Sequence, residues 1–333
     1  MKTTAITVFL VLAIILTGCV QNQKMIMTVT GPVDVNQIGI TLAHEHILVD
    51  FIGADSSGYH RWNKDTVIAK VLPYLLGAKA AGVSTLVECT PAYLGRDPVL
   101  LKRLSLLSGL NIITNTGYYG AIENKAIPDH AYEETADQLA ARWIAEWENG
   151  IEDTGIKPGF IKIAIPEDSM LSAIHEKIVR AAARTHLKTG LVINVHIGPS
   201  AAAEAVLRLL KEEGVHPSAF IWTHAQAGSQ GSHVRLAETG TWISLDNVMP
   251  DNIAQYVSAL IHLKNNHLLQ NVLISHDAGW YDVINPGSVK YRGYTTVFEQ
   301  LKPALINAGF SDKEFDRLLI DNPARAYAIG RKI

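Results

Sequence analysis

The chain has 333 residues, 48% of them hydrophobic, and a formal net charge of −3 at pH 7. This length can bury the core of one large α/β domain or of two ordinary ones. The charge is nearly balanced and no basic block or Lys/Arg stripe occurs along the chain. We therefore expect no nucleic-acid partner.

The N-terminus carries an apolar segment of signal-peptide length. Lys2 is followed by a run that ends in "LTGC" at 16–19. This ending resembles a bacterial lipobox, in which the cysteine carries lipid and becomes the mature N-terminus; an ordinary secretory signal or an inserted anchor helix is the alternative. We predict a lipoprotein signal peptide at 1–18, lipid on Cys19, a tether at 19–30 and one folded domain at 31–333.

Lipid on Cys19 would hold the protein on a membrane surface without spanning it. The expected location is the bacterial cell envelope, on its periplasmic or surface side. Cys89 is the only other cysteine. A lipidated Cys19 leaves it no disulfide partner, so Cys89 is predicted to be a small core residue.

Short runs rich in Val, Ile and Thr alternate with segments of helical period, a pattern typical of a parallel α/β sheet. Eight strands are predicted, over 40–47, 84–90, 111–117, 160–165, 191–197, 219–225, 242–248 and 271–277. Helices are predicted at 66–82, 132–150, 173–190 and 200–214, among others, and several end in Gly, as helix C-termini prefer. Eight βα units fit a (β/α)8 TIM barrel better than a doubly wound sheet, whose glycine-rich dinucleotide turn is absent after the first strand.

In such a barrel the C-terminal ends of the strands build the active site. The ligand-capable or ionisable side chains there are His44 and His46 on strand one, Lys162 on strand four, His196 on strand five, His224 on strand six and Asp277 on strand eight. His44 and His46 are two residues apart, so a strand turns both imidazoles to one side and Glu45 to the other.

A single histidine at a strand end is more often a hydrogen-bonded structural residue than a metal ligand. The combination of four histidines, an aspartate and a lysine on one rim is different, because their desolvation would be hard to compensate without a metal. Imidazole and carboxylate ligands without thiolate suit Zn²⁺, Mn²⁺ or Co²⁺. The ammonium of Lys162 would repel such cations, so this lysine must be neutral or chemically changed.

The set His-x-His, Lys, His, His, Asp on these strands resembles the phosphotriesterase family of the amidohydrolase superfamily. The resemblance covers essentially the whole mature chain, including "GITLAHEHILVD", "LGRDPVLLKRLSLLSGLNIITNTGYY", "PGFIKIAI" and "NPARAYAI". It implies a binuclear metal site in which CO2 carboxylates the strand-four lysine. Carried over to this chain, the more buried metal would be held by His44, His46 and Asp277, the more exposed one by His196 and His224, and both by carboxylated Lys162.

The resemblance also implies a mechanism. Two divalent ions, with Zn²⁺ expected and Mn²⁺ or Co²⁺ as alternatives, would share a hydroxide that attacks the substrate. Asp277 would accept or shuttle the proton, and Lys162 would serve catalysis as the bridge. The expected partner is a small-molecule substrate, and the family makes a homodimer an open possibility.

Four aromatic residues flank the predicted pocket and are candidates for substrate binding: Tyr118, Tyr119, Trp280 and Tyr281. The equal alternative is that they pack the loops over the barrel mouth. Arg96 and Asp97, in "YLGRD", are expected to brace a loop or cap the following helix rather than touch substrate.

Two departures from the family pattern bear on the substrate. Asp246 on strand seven is followed by Asn247, where some lactonase-like members have an acidic residue followed by Arg. The segment "HAQAGSQGSH" lacks the acidic residues that continue the proton relay in the paraoxon-hydrolysing members. We therefore favour a lactone or another carboxylic ester as substrate, with organophosphate triester cleavage as a side activity.

Two other classes of function stay open. A buried strand-four lysine can form a Schiff base, so a lyase or aldolase using Lys162 is one alternative, although it leaves the histidines and Asp277 without a role. A lipoprotein that binds a ligand without turnover is the other.

Overall fold

The computed structural model describes residues 24–166, 170–287 and 290–330. The predicted signal peptide at 1–18 and the predicted lipid site Cys19 lie outside these ranges. Within them, no helix is both long enough and apolar enough to cross a membrane.

The eight predicted barrel strands are all present, each somewhat shorter than its sequence pattern. They are β1 Thr41–Glu45, β2 Thr85–Glu88, β3 Asn111–Ile113 with its continuation Asn115–Thr116, β4 Phe160–Ala164, β5 Ile193–His196, β6 Phe220–Thr223, β7 Trp242–Leu245 and β8 Val272–Ile274. Paired neighbours are parallel, in the order β1-β2-β3 and then β3-β4-β5-β6-β7-β8. The ring closes where Asp277 N donates to His44 O and His46 N donates to Ala278 O. The (β/α)8 prediction is confirmed.

At least one helix follows each strand, and the main ones are numbered α1 to α8. These helices are α1 Lys64–Ala80, α2 Pro98–Ser108, α3 Ala136–Asn149, α4 Ala173–Thr189, α5 Ser200–Glu212, α6 Gln230–Glu238, α7 Ile253–Asn265 and α8 Lys302–Asn307. Shorter helical segments are His130–Glu133, Val297–Leu301, Asp312–Asp316, Arg317–Asp321 and Asn322–Tyr327. Of the expected Gly ends, Gly150 and Gly190 follow α3 and α4, and Gly190 is in the left-handed conformation, as is Gly109 at the end of α2.

The folded domain begins before the predicted boundary at residue 31. Met25–Thr28 and Gly31–Asp34 form an antiparallel hairpin, and Val29 N donates to Ile112 O on β3. Ile26 is fully buried in the same cluster as Phe160 and Cys89. The prediction of a tether over 19–30 is therefore wrong from Met25 onward, because this apolar segment closes the N-terminal end of the barrel.

Successive side chains of a strand point alternately into the barrel and towards the surrounding helices. On β4, Phe160 belongs to the cluster inside the barrel, whereas Ile161 and Ile163 belong to the cluster shared with the helices. Lys162 therefore has the parity of Phe160 and points inward. Cys89 is fully buried in the interior cluster, as predicted.

Candidate metal centre

β1 delivers two imidazoles to the C-terminal mouth of the barrel. His44 and His46 both line one small pocket there, and the β1–β2 register shifts between Leu42 and Glu45. Glu45 turns the other way, where its carboxylate accepts from Ser275 Oγ and from the backbone and ring of His276. The prediction that the two imidazoles face one side and Glu45 the other is confirmed.

β4 and β5 add a lysine and a third imidazole by the same alternation. Lys162 pairs in register with Asn194, and Ala164 pairs with His196. The Nζ of Lys162 is buried and donates to Asn194 Oδ1 at 2.9 Å. A buried ammonium with one neutral acceptor is poorly compensated.

Two close approaches of the backbone depend on glycine. A Cβ on Gly117 would lie 2.0 Å from Lys162 O, and one on Gly279 would lie 1.8 Å from His46 O. Both glycines have φ near +100° to +120°, a conformation that side chains disfavour. They let β3 and the loop after β8 press against the residues that face the pocket.

His44, His46 and Asp277 converge on one point. Asp277 Oδ1 lies 3.1 Å from His46 Nε2 and 3.5 Å from His44 Nε2, and the two Nε2 atoms are 3.3 Å apart. This Oδ1 is buried and has no hydrogen-bond partner among the described residues. Two ring nitrogens and an unpartnered carboxylate oxygen at such distances form a donor set that fits a divalent cation.

A second pair of imidazoles lies beside the first. His196 Nδ1 is 2.8 Å from His224 Nε2, and the His224 ring centroid is 5.1 Å from that of His44. The pocket enclosed by all these groups has a volume of about 20 Å³, room for roughly one water. Its lining consists of His44, His46, Val49, Phe51, Leu94, Tyr119, Lys162, His196, His224, Asp277 and Trp280. All six predicted metal ligands thus meet in one place.

Asp246 was not among the predicted site residues, yet it holds two of the imidazoles. Its carboxylate on the fully buried end of β7 lies 3.2 Å from His44 Nδ1 and 2.5 Å from His224 Nδ1. A carboxylate on Nδ1 favours the tautomer that leaves Nε2 free to bind a metal. Its position at a strand end, like that of the six ligands, was the signal that could have identified it.

The electrostatics keep three of the imidazoles neutral. Burial, reinforced by the nearby Lys162 ammonium, lowers the pKa of His44 to about 4 and that of His46 to about 3. Burial and the neighbouring His224 lower the pKa of His196 well below its usual value. Neutral imidazole is the form that binds metals.

His224 and Asp246 form the charged pair of the site. Burial lowers the pKa of His224, but the charge and hydrogen bond of Asp246 outweigh it and raise the pKa overall. Burial acts to raise the pKa of Asp246, and the charges of His224 and His44 hold it well below its usual range. Burial raises the pKa of Asp277, although the positive charges of His224 and Lys162 act to lower it.

Backbone strain marks the same residues. His224 and Asp277 adopt φ of 62° and 49°, and Trp280 adopts 73°. Residues other than glycine rarely occupy this left-handed region, and strained residues cluster at functional sites.

The four aromatic candidates divide into two pairs. Tyr119 and Trp280 line the pocket, with the Tyr119 hydroxyl 3.3 Å from His196 Nε2 and the Trp280 ring 4.9 Å from that of His46. Tyr118 faces away, because consecutive residues of an extended chain point to opposite sides; its hydroxyl bonds His130 and its ring packs on Trp143.

Tyr281 also lies outside the lining of the metal pocket. It pairs with Leu48 in a short parallel bridge and packs against the main core. Tyr118 and Tyr281 are therefore not among the lining residues of this pocket, and the contacts that the structure gives them are the packing contacts of the alternative.

Arg96 and Asp97 have the structural roles expected of them. Arg96 binds Glu146 with two guanidinium nitrogens and donates to Asn115 O. Asp97 caps α2 by accepting from Leu100 N.

The fold and these side chains define a (β/α)8 barrel protein with a candidate metal centre at the C-terminal ends of its strands. The chain belongs to the phosphotriesterase family, whose model matches residues 24–327. This family uses a binuclear divalent metal site.

Named relatives cover nearly the same length. A phosphotriesterase homology protein of Mycobacterium tuberculosis is 27% identical over 320 residues, covering 90% of this chain and 96% of its own. An aryldialkylphosphatase of Saccharolobus solfataricus is 26% identical over 310 residues, covering 89% and 97%. An N-acetyltaurine hydrolase of Salmo salar is 27% identical over 348 residues, covering 90% and 97%. The last two of these similar proteins are hydrolases by name, and their named activities differ.

Proposed function

We propose that this protein is a binuclear metal-dependent hydrolase that cleaves a lactone or related carboxylic ester, with organophosphate triesters as side substrates. The observation that carries the proposal is the Oδ1 of Asp277, which has no hydrogen-bond partner in the described part of the chain and faces the Nε2 atoms of His44 and His46. A buried carboxylate oxygen and two neutral imidazoles have little reason to converge without a cation.

The ligand assignment follows the two groups of side chains. His44, His46 and Asp277 would hold one ion, and His196 and His224 the other. We propose that Lys162 joins both groups after carboxylation by CO2, since a carbamate would replace an ammonium whose one acceptor among the described residues is Asn194. When bound, two divalent ions supply Lewis-acid activation of the substrate oxygen and a hydroxide nucleophile near neutral pH.

Four further roles in the proposed reaction fall to side chains of this protein. Asp246 orients His44 and His224 through their Nδ1 atoms. Asp277 is the carboxylate placed to hold and move a proton at the reacting centre. Tyr119 and Trp280 line the pocket, where they would exclude water and contact the substrate.

The choice of an ester rests on the segment after β6. Between His224 and His233 it carries no acidic residue, and the side chain of this segment that hydrogen-bonds to Asp246 is the neutral Gln226. This segment therefore supplies no carboxylate to a proton relay. The named relatives act on different bonds, so family membership alone leaves the bond open.

Metal content and intact mass test the proposal. Protein purified without added metal should carry about two ions per chain and an extra mass of roughly 44 Da, both lost in mild acid. Chelation should abolish ester hydrolysis. The matched variants are Lys162→Ala, which should lose metal and activity, and Lys313→Ala at an exposed lysine, which should lose neither.

The opposite results would favour the alternatives. Borohydride trapping of substrate on Lys162 in protein that binds no metal would indicate a Schiff-base enzyme instead. Metal binding without turnover of any ester or lactone would indicate the ligand-binding lipoprotein.

We also propose that the protein is exported and anchored to the cell envelope by lipid on Cys19. The support is the lipobox-like "LTGC" after an apolar run. The test is phase partitioning between detergent and water of protein expressed in a bacterial host. The wild type should enter the detergent phase, and Cys19→Ser should enter the aqueous phase. Equal partitioning of the variant and the wild type would refute the anchor.

A further inference from the structure

A larger cavity opens beside the metal pocket. It has a volume of about 280 Å³ and shares the walls Val49, Phe51 and Trp280 with the metal pocket. Its other lining residues are Gly279, Asp282, Lys290 and Arg292, and we call it the entrance cavity. The metal pocket has room for roughly one water. Most atoms of a substrate whose reacting bond lies there must therefore occupy the entrance cavity.

Arg292 is a half-buried cation in the wall of the entrance cavity. Its guanidinium donates to His276 O at 2.8 Å, to Asp277 O at 3.3 Å and to Asn247 Oδ1 at 3.3 Å. All three acceptors are neutral. A guanidinium carries five N–H donors, so these contacts leave about two without an acceptor among the residues that the structure describes.

This arginine differs from others in the part of the chain that the structure describes. Seven arginines form ion pairs with carboxylates: Arg61, Arg96, Arg103, Arg142, Arg180, Arg184 and Arg235. No such pair is found for Arg292 or for the exposed Lys290 within the described ranges. The two cations of the entrance cavity thus keep their charge uncompensated by a salt bridge.

The one carboxylate that lines the entrance cavity, Asp282, accepts hydrogen bonds from backbone amides. Asp282 Oδ1 accepts from Ile284 N at 2.8 Å and from Asn285 N at 3.2 Å. Its hydrogen bonds stabilise the turn that follows rather than bind Arg292. With two cations and one carboxylate, the lining has an excess of positive charge.

We propose that Arg292, assisted by Lys290, binds an anionic group of the substrate, so that the substrate is an ester or lactone carrying a carboxylate or a comparable anion. The inference rests on the proposed function and narrows its substrate class. Arg292 is anchored to the carbonyl of Asp277, so the anion and the reacting bond would be held at a set separation. A guanidinium is well suited to this task because it binds a carboxylate with two parallel hydrogen bonds.

Binding of a ketone pair tests the inference without turnover. 5-Oxohexanoate and 2-hexanone differ only in a terminal carboxylate in place of a methyl group, and neither can be hydrolysed. Calorimetry on the full-length protein as purified should show at least about tenfold tighter binding of 5-oxohexanoate, weakened by salt. Arg292→Gln should lose most of this preference and Arg292→Lys should keep part of it. Arg103→Gln, at an exposed arginine on α2, should keep all of it.

Equal binding of the two ketones by the wild type would overturn the inference. So would a preference that survives in Arg292→Gln, since the carboxylate would then bind the metal centre. A purely structural role of Arg292 would weaken both ketones alike, which also contradicts the proposal.

Turnover separates this inference from the proposed function. The matched esters are mono-4-nitrophenyl glutarate and 4-nitrophenyl pentanoate. The inference is supported if the wild type has a higher kcat/KM for the glutarate ester than for the pentanoate ester. The ratio of the two values should fall about tenfold in Arg292→Gln, mainly through a higher KM for the glutarate ester. Equal hydrolysis of both esters by metal-loaded wild type refutes the anion site and leaves the hydrolase standing. If neither ester is cleaved, the hydrolase is in question and the ketone binding decides the anion site.

Discussion

Replacement of Asp246 by Asn should lower the metal affinity of the centre, although all six proposed ligands remain in the sequence. The carboxylate accepts from Nδ1 of both His44 and His224. An asparagine offers one oxygen and one NH2, so at least one imidazole would face a donor and turn its lone pair away from the metal. Loss of one such contact costs roughly 10- to 100-fold in metal affinity. Because one residue serves two ligands, we expect about 100-fold, or about 2.8 kcal/mol.

The assay is competition for Zn²⁺ against a chelating dye at pH 7.5. Asp97→Asn is the matched control, because Asp97 is equally buried but caps α2 and pairs with Lys64. The control should lose stability and keep its metal affinity. An affinity of Asp246→Asn within about threefold of the wild type would refute the assigned role of the carboxylate, since it falls below the smallest expected loss.

Three further outcomes follow from the structure. Glu45→Gln should lower the free energy of unfolding by about 3 kcal/mol in urea titrations, because the fully buried carboxylate accepts hydrogen bonds from Ser275, His276 and Ala278 that an amide cannot all replace; a loss under 1 kcal/mol would contradict this. Metal-free protein should lose stability as the pH falls from 6.5 towards 4, since the lowered pKa values of His44 and His46 let only the unfolded chain take up their protons; equal urea midpoints at pH 7 and pH 5 would disprove it. Tyr119→Phe should raise KM for esters severalfold, whereas Tyr118→Phe should not; equal effects would contradict the observed orientations.

The sequence by itself determined the barrel and the set of candidate ligands. Both follow from short-range regularities: strands have period 2, helices end at glycines such as Gly190, and parallel strands in a closed ring present their C-terminal ends on one rim. These rules predict that the side chain of a residue such as Lys162, near the end of a strand, points into the barrel. The prediction needs no knowledge of the residues that surround it. The direction of a ligand that lies within a strand was therefore predictable from its position in the chain.

The tertiary structure decided which side chains touch. Asp246 meets His44 across 202 positions of sequence, and no local pattern encodes that contact. Tyr118 and Tyr119 are the same residue type in one loop, and only the backbone after β3 sends one to His196 and the other to Trp143. Chain direction beyond a strand end is set by close packing against other segments, such as Gly117 against Lys162 O. Such long-range contacts form only when the whole barrel closes, because their partners lie on different βα units.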